Sequence, residues 1–187
     1  MRNIIRIFLL LLVSNFPPTS SALASGKFEG SLVLKVTADG RNLQVAEQFS
    51  FIDQNGEVWT VPAGMKTDGA SVPRVAWSLF PPFAGKYLKA AVVHDRYCDT
   101  MQETWQRTHR VFFDAMLTSG VDKLSAKTMY AAVRLFGPRW TEDGTRIKSA
   151  KFLSQQEKLN DLLEFQDWIL KEDPSIDELE KRADSGQ

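Results

Sequence analysis

The hydrophobic period of this chain changes once, and the change separates a strand-forming part from a helix-forming part. Between Phe28 and Val61, apolar side chains largely alternate with polar ones, which is the period of a half-buried strand. From Lys86 onward, apolar residues recur at intervals of three and four, which is the period of an amphipathic helix. The sequence therefore predicts an α+β fold, in which a short antiparallel β-meander precedes a helical subdomain.

Turn residues divide the first part into three predicted strands, at residues 28–36, 43–52 and 58–61. Asp39-Gly40 and Asn55-Gly56 connect them, because both residue pairs tolerate the positive φ angles of tight hairpin turns.

The second part contains three predicted helices, of which the first two form a hairpin. They cover Tyr87–Asp99, Thr104–Ser119 and about Ser125–Phe136. Thr104 is a candidate cap for the second helix, and Gly137-Pro138 stops the third.

The N-terminal residues 1–24 have the composition of a signal peptide. A charged start is followed by a short apolar run and by Ala22-Leu23-Ala24, which predicts cleavage after Ala24. Loss of Arg2 and Arg6 lowers the 23 basic residues to 21, against 23 acidic ones. This balance favours no nucleic-acid partner. We expect a periplasmic or secreted protein without a transmembrane segment in the mature chain.

The mature chain is predicted to comprise a core domain at residues 25–140 and an accessory helical extension at residues 141–187. The extension follows a loop, Arg139–Ser149, that shows no regular period, and it carries a leucine stripe between Phe152 and Leu170. Such a stripe must be buried, because an isolated helix of this length is marginal in water. We expect it to dock on the core or to pair with a partner chain, away from the candidate site.

Both histidines of the chain fall in the predicted helical hairpin. His94 and His109 lie equally far from the middle of the connection, and each is on the apolar face of its helix. Because every helical residue rises about 1.5 Å, equal distances place the two imidazoles at the same height. They are therefore predicted to face each other, an arrangement suited to a divalent metal such as zinc.

Two carboxylates could complete such a site. Asp68 lies in a Gly- and Ser-rich turn before the hairpin, whereas Asp95 points about 100° away from His94 and could instead bond the preceding loop. The candidate catalytic residues are therefore His94, Asp95 and Asp68, and the candidate metal ligands are His94, His109 and Asp68. The alternatives are two hydrogen-bonded core histidines and, for Asp68, a turn residue that bonds its own backbone.

Cys98 is the only cysteine, so the chain has no internal disulfide. It is predicted to be a small buried hydrophobe on a helix, and the alternative is a nucleophile or metal ligand one turn after His94.

Three segments resemble a known family: VPAGMKTDGASVPR, AAVVHDRYCD and MYAAVRLFG. The chain is similar over about Phe28–Trp140 to domain of unknown function (DUF) 1353, a family of bacterial and phage proteins. The resemblance implies no established activity. The family pattern has Asp at the position of His109 and often an aromatic residue at that of Cys98, and both Asp and His can bind a metal or carry a proton.

These features leave three functions open. The first is a metal-assisted or His-based hydrolase acting on an envelope component such as peptidoglycan or lipid. The second is a non-catalytic envelope or phage-related interaction module, in which His94, Asp95 and Asp68 form a buried polar network. The third is a metal or ligand binder without turnover. The expected partner is an envelope ligand or protein whose identity the sequence does not specify.

Overall fold

The computed structural model describes most of the chain, namely residues 26–38, 43–67, 73–81, 85–147 and 153–185. The predicted signal peptide with its cleavage site at Ala24, the predicted Asp39-Gly40 turn and the loop residue Asp68 lie outside the described residues. Antiparallel strands are followed by helices, so the predicted α+β class is confirmed. Among the described residues, no helix is both long enough and apolar enough to cross a membrane.

The described part of the first region contains six short strands: β1 (Lys27–Glu29), β2 (Leu34–Val36), β3 (Leu43–Val45), β4 (Phe49–Ile52), β5 (Val58–Val61) and β6 (Lys66–Thr67). They form two antiparallel sheets, ordered β1-β4-β5 and β2-β3-β6. The first two predicted strands are thus each divided between the sheets. Gly30 interrupts the first of them, because its φ of +83° lies outside the extended conformation of a strand. Glycine adopts this angle readily, whereas a residue with a side chain rarely does.

The predicted Asn55-Gly56 turn joins β4 to β5. Gly56 has a φ of +83°, and Oδ1 of Asp53 accepts a hydrogen bond of 2.8 Å from the amide of Asn55. The resulting register pairs Phe51 with Trp59, and both of these side chains are buried. The turn therefore directs large aromatic side chains into the core.

The rest of the described chain is mainly helical: α1 (Leu88–Thr100), α2 (Trp105–Thr118), α3 (Lys123–Phe136), β7 (Arg139–Trp140), β8 (Arg146–Ile147), α4 (Gln155–Glu172) and α5 (Ile176–Ser185). The predicted α1–α2 hairpin is confirmed. Met101 ends α1 in a left-handed conformation with a φ of 51°. Thr104 caps α2 by accepting a hydrogen bond from the amide of Arg107 at 3.3 Å.

One apolar core joins the sheets, the first three helices and the C-terminal helices. Its fully buried members from successive elements include Phe51, Val92, Phe112, Met129, Leu162 and Leu179. The predicted docking of the leucine stripe is confirmed, because Leu162 and Ile169 of α4 are buried in this core. Leu163 and Leu170, on the other face of α4, stay exposed.

Polar contacts add to this docking. Lys127 and Arg134 of α3 are buried, and they form ion pairs of 2.5 Å with Asp173 and Asp184 respectively. A buried cation needs such a partner, because removing its hydration without compensation costs several kcal/mol, on the order of 3 or more. The C-terminal region therefore supplies the two carboxylates that pair with the buried cations of α3.

A β-hairpin, β7–β8, occupies the segment that was predicted to be an irregular loop. The amide of Thr145 donates a hydrogen bond of 3.0 Å to Oδ1 of Asp143, and Gly144 has a φ of +81°. Its strands of two residues each are too short to show an alternating pattern in the sequence. The hairpin extends across the boundary predicted at residue 140, and the division into core and extension stays a prediction.

Candidate functional site: a buried histidine pair

His94 of α1 and His109 of α2 face each other inside the helical hairpin, as predicted. Nε2 of His94 lies 2.7 Å from Nδ1 of His109, and the ring centroids are 4.9 Å apart. The two residues are 1% and 0% exposed. The distance between the nitrogens is that of a hydrogen bond, so one ring donates its N–H to the lone pair of the other.

Both imidazoles are neutral at ordinary pH. Burial lowers the pKa of His94 to about 3. Burial also lowers the pKa of His109 well below its ordinary value, and the charges of His94, Arg134 and Arg139 lower it further. An N–H···N bond between two neutral rings is consistent with this environment, whereas a buried imidazolium would need a carboxylate partner.

The second nitrogen of His109 lies outside this bond. Nε2 of His109 is buried and has no hydrogen bond within the described part of the chain. In either tautomer of the pair, one ring donates its N–H to the ring nitrogen of the other that carries no proton.

Cys98 is the third member of the cluster. It lies one turn after His94 on the same face of α1, and its Sγ is 3.5 Å from Nε2 of His94. Burial raises the pKa of the Cys98 thiol, and the charges of Asp95 and Asp99 raise it further. The thiol is therefore protonated and unsuited to act as a free nucleophile. Donor atoms of His94, Cys98 and His109 all lie within 4.8 Å of one another.

Aromatic side chains enclose the two imidazoles. Phe112 stacks on His94 with a centroid distance of 4.9 Å, while Trp105 and Trp140 meet His109 edge-on at 5.6 and 6.4 Å. These rings exclude water and account for the strong desolvation of both histidines.

The β7–β8 hairpin covers the cluster from the side of the α1–α2 turn. Trp140 Nε1 donates a hydrogen bond of 2.9 Å to the carbonyl of Glu103, and Arg146 donates one of 3.0 Å to the carbonyl of Cys98. Between this hairpin and the turn lies an open cleft of about 790 Å³, with Trp105 and Trp140 in its wall. The same two rings thus separate the cleft from His109.

Two arginines pack over the outer wall. The guanidinium groups of Arg134 and Arg139 lie 4.7 and 4.4 Å from the centroid of Trp105. Asp184 of α5 lies 2.5 Å from Arg134 and 3.7 Å from Arg139. Asp184 of the C-terminal extension thus pairs with the two arginines that pack on the wall of the cluster.

Asp95 does not join the histidines. Its carboxylate accepts a hydrogen bond of 2.5 Å from the hydroxyl group of Thr67, at the end of β6. This contact agrees with its position about 100° around α1 from His94, and it attaches the helix to the sheet. Asp68 lies outside the described residues, so its roles as catalytic residue and as metal ligand stay predictions.

The sequence pointed to His94 and His109, and it offered Cys98 as an alternative metal ligand one turn after His94. The structure places Cys98 beside both histidines. Trp140 and Arg146 come from the unpredicted hairpin, and no periodic signal could have placed them over α1 and α2.

Comparison with known proteins agrees with the sequence motifs. Residues 43–133 match the family described as "Protein of unknown function (DUF1353)". The predicted resemblance is confirmed. This match includes the whole α1–α2 hairpin with its histidine pair, and it ends before the β7–β8 hairpin.

Two curated relatives come from Sinorhizobium fredii (strain NBRC 101917 / NGR234). "Uncharacterized protein y4jT" is 47% identical over 108 residues, which cover 57% of this chain and 32% of that protein. "Uncharacterized protein y4iH" is 43% identical over 119 residues, which cover 60% of this chain and 48% of that protein. The chain thus spans about a third and about half of the lengths of these relatives. No solved structure matches it.

Proposed function

We propose that this protein is an exported, non-catalytic interaction module of the bacterial envelope, in which His94, His109 and Asp95 form structural polar contacts. The observation that carries the proposal is the burial of both imidazoles, which are 1% and 0% exposed. A general base must come within hydrogen-bond distance of the proton that it removes. Rings enclosed by Phe112, Trp105 and Trp140 leave no room for a substrate atom at that distance.

The direction of Asp95 also supports a structural role. In a catalytic His-Asp pair the carboxylate orients the imidazole, whereas here Asp95 bonds Thr67 and the His94 ring bonds His109. Each polar group thus connects two elements of the fold. The histidine pair connects α1 to α2, and the Asp95–Thr67 contact connects α1 to β6.

The cleft beside the β7–β8 hairpin is the surface that we assign to a ligand or partner. Its volume of about 790 Å³ lies within the range of about 300–1,000 Å³ of small-molecule sites. Trp105 is partly exposed there, and Gln102, Glu142 and Asp143 add polar groups around it. An aromatic wall with polar groups at its rim is common in ligand sites.

Export is supported by the composition of residues 1–24. A fusion of residues 1–30 to a reporter enzyme that is active only outside the cytoplasm should give activity. The mature protein should begin at Ser25 by mass spectrometry, and Ala24→Lys should block that cleavage. A cytoplasmic reporter, or an intact N-terminus on the exported protein, would contradict this part of the proposal.

The accessibility of the histidines tests the non-catalytic role. Diethyl pyrocarbonate acylates accessible imidazole nitrogens, and this chain has only two histidines. In the untagged native protein both should resist the reagent, and both should react after unfolding in urea. Gln106→His supplies the matched control, because position 106 is exposed on α2. If His94 or His109 reacts in the native protein as fast as the introduced imidazole, it is open to substrate and the non-catalytic proposal is wrong.

A further inference from the structure

The cluster of His94, Cys98 and His109 contains the donor atoms that a borderline-soft metal ion prefers. Two imidazole nitrogens and one sulfur lie within 4.8 Å of one another, and all three residues are buried. Thiolate and imidazole ligands suit zinc and its neighbours in the periodic table, whereas calcium and magnesium require oxygen ligands. The chemistry of the cluster therefore points to one class of ion.

A tetrahedral ion fits the cluster only after both rings move. Bonds of about 2.0–2.1 Å to nitrogen and about 2.3 Å to sulfur imply about 3.5 Å between N and S and about 3.3 Å between two N atoms. Sγ of Cys98 lies 3.5 Å from Nε2 of His94 but also 3.8 Å from Nδ1 of the same ring, so this imidazole must turn before Nε2 and Sγ can share an ion. Nε2 of His94 and Nδ1 of His109 are 2.7 Å apart, so these rings must separate by about 0.6 Å.

We propose that His94, Cys98 and His109 bind one Zn²⁺ ion between α1 and α2, through Nε2, Sγ and Nδ1 respectively. This inference rests on the structural role proposed above, to which it adds the ion that fixes the hairpin. The protein thus supplies three of the four donors of a tetrahedral zinc site.

Zinc binding releases one proton and moves another within the cluster. Cys98 loses its thiol proton to solvent, because the thiolate is the metal ligand. The proton in the bond between the two rings moves to the other nitrogen of the ring that carries it, which frees Nε2 of His94 and Nδ1 of His109 for the ion. Each imidazole then carries one proton, on Nδ1 of His94 and on Nε2 of His109.

Some charges near the cluster favour a bound cation, and others oppose it. Asp95 and Asp99 place negative charge near Cys98, which favours a cation. Arg134 and Arg139 oppose it from the side of His109. Asp184 lies within 4 Å of both guanidinium groups, at 2.5 and 3.7 Å, and reduces their effect.

Cobalt is the probe for this site, because a thiolate bound to Co²⁺ gives a near-ultraviolet charge-transfer band. The metal-free full chain should develop this band with one equivalent of Co²⁺, and Zn²⁺ should abolish it. Cys98→Ser should lack the band. Thr100→Val, on the same helix and with a hydroxyl group that donates to the carbonyl of Arg96, should keep it. Zn²⁺ should also raise the thermal unfolding midpoint of the wild type but not that of Cys98→Ser.

The absence of the band in the wild type, or the same band in Cys98→Ser, would overturn the proposal. If Cys98→Ser does not fold, the wild-type spectrum decides alone, because the chain has no other thiol. A protein that resists diethyl pyrocarbonate but binds no cobalt would retain the structural role and lose only the metal.

Discussion

The hydroxyl group of Thr67 donates a hydrogen bond of 2.5 Å to the carboxylate of Asp95, across 28 residues of sequence. This bond joins the end of β6 to the outer side of α1, one position after the buried His94. It places the carboxylate of the His94-Asp95 dipeptide at the sheet and the imidazole in the helical hairpin.

Thr67→Val should lower the free energy of unfolding by about 1.5–3 kcal/mol, because the substitution removes a donor to a charged acceptor in a half-buried site. Urea unfolding followed by circular dichroism measures the change. Thr100→Val is the control, since its hydroxyl donates only to the carbonyl of Arg96 in its own helix. Equal losses in the free energy of unfolding of the two variants would show that the bond to Asp95 stabilises the fold no more than a hydroxyl bond within one helix does.

The two histidines should be coupled, so that replacing both lowers the free energy of unfolding by less than the sum of the two single replacements. His94→Leu or His109→Leu leaves a buried ring nitrogen without its partner, and each should destabilise by about 2–4 kcal/mol. In the double variant neither nitrogen remains, so its loss should be smaller than the sum of the single losses by about 0.5–3 kcal/mol. Urea unfolding of all four proteins in a chelator measures this coupling. Additive losses would contradict a direct bond between the rings.

Ionisation of the Asp114 carboxyl group should lower the free energy of unfolding as the pH rises from about 4 to 7. Burial raises the pKa of this carboxyl group to about 6, and Asp53 adds to the effect, although Arg110 opposes it. The folded protein therefore holds a proton that the unfolded chain has lost, and the stability it contributes disappears as the pH passes the folded-state pKa. Asp114→Asn should be more stable than the wild type above pH 7, by on the order of 2 kcal/mol, and equally stable near pH 4. A constant difference across this range would contradict the raised pKa.

Asp184→Asn should lower the free energy of unfolding and weaken the packing of α5 on α3, because Asp184 is the partner of the buried Arg134. Asp184 is itself 45% exposed, so solvent screening reduces the loss to about 1–2 kcal/mol. Asp167→Asn removes an exposed pair with Lys171 on α4 and should leave the thermal unfolding midpoint unchanged. Hydrogen exchange should become faster in α5 of the first variant only. If both variants behave alike, the charge of Asp184 does not hold the extension on α3.

Local signals in the sequence determined the helices and the facing histidines. Thr104 has the chemistry of an N-cap, and an apolar stripe with a period of 3.6 residues identifies which side of each helix is buried. In a hairpin, equal distances from the turn place His94 and His109 at the same height whatever the rest of the fold does. Asn55-Gly56 likewise carries its own backbone preference. These predictions needed only residues near one another in the sequence, and the two histidines are the farthest apart, at 15 positions.

The tertiary structure alone decided what encloses the pair. The position of Cys98 one turn after His94 follows from the sequence, but Trp140 covers the ring of His109 through a bond to Glu103 that spans 37 residues. Arg134 could be buried because Asp184, 50 positions later, supplies its charge. Such contacts join residues with no local pattern in common, and their energy exists only after the intervening chain has folded. The sequence therefore located the site, and long-range packing made it buried, neutral and enclosed.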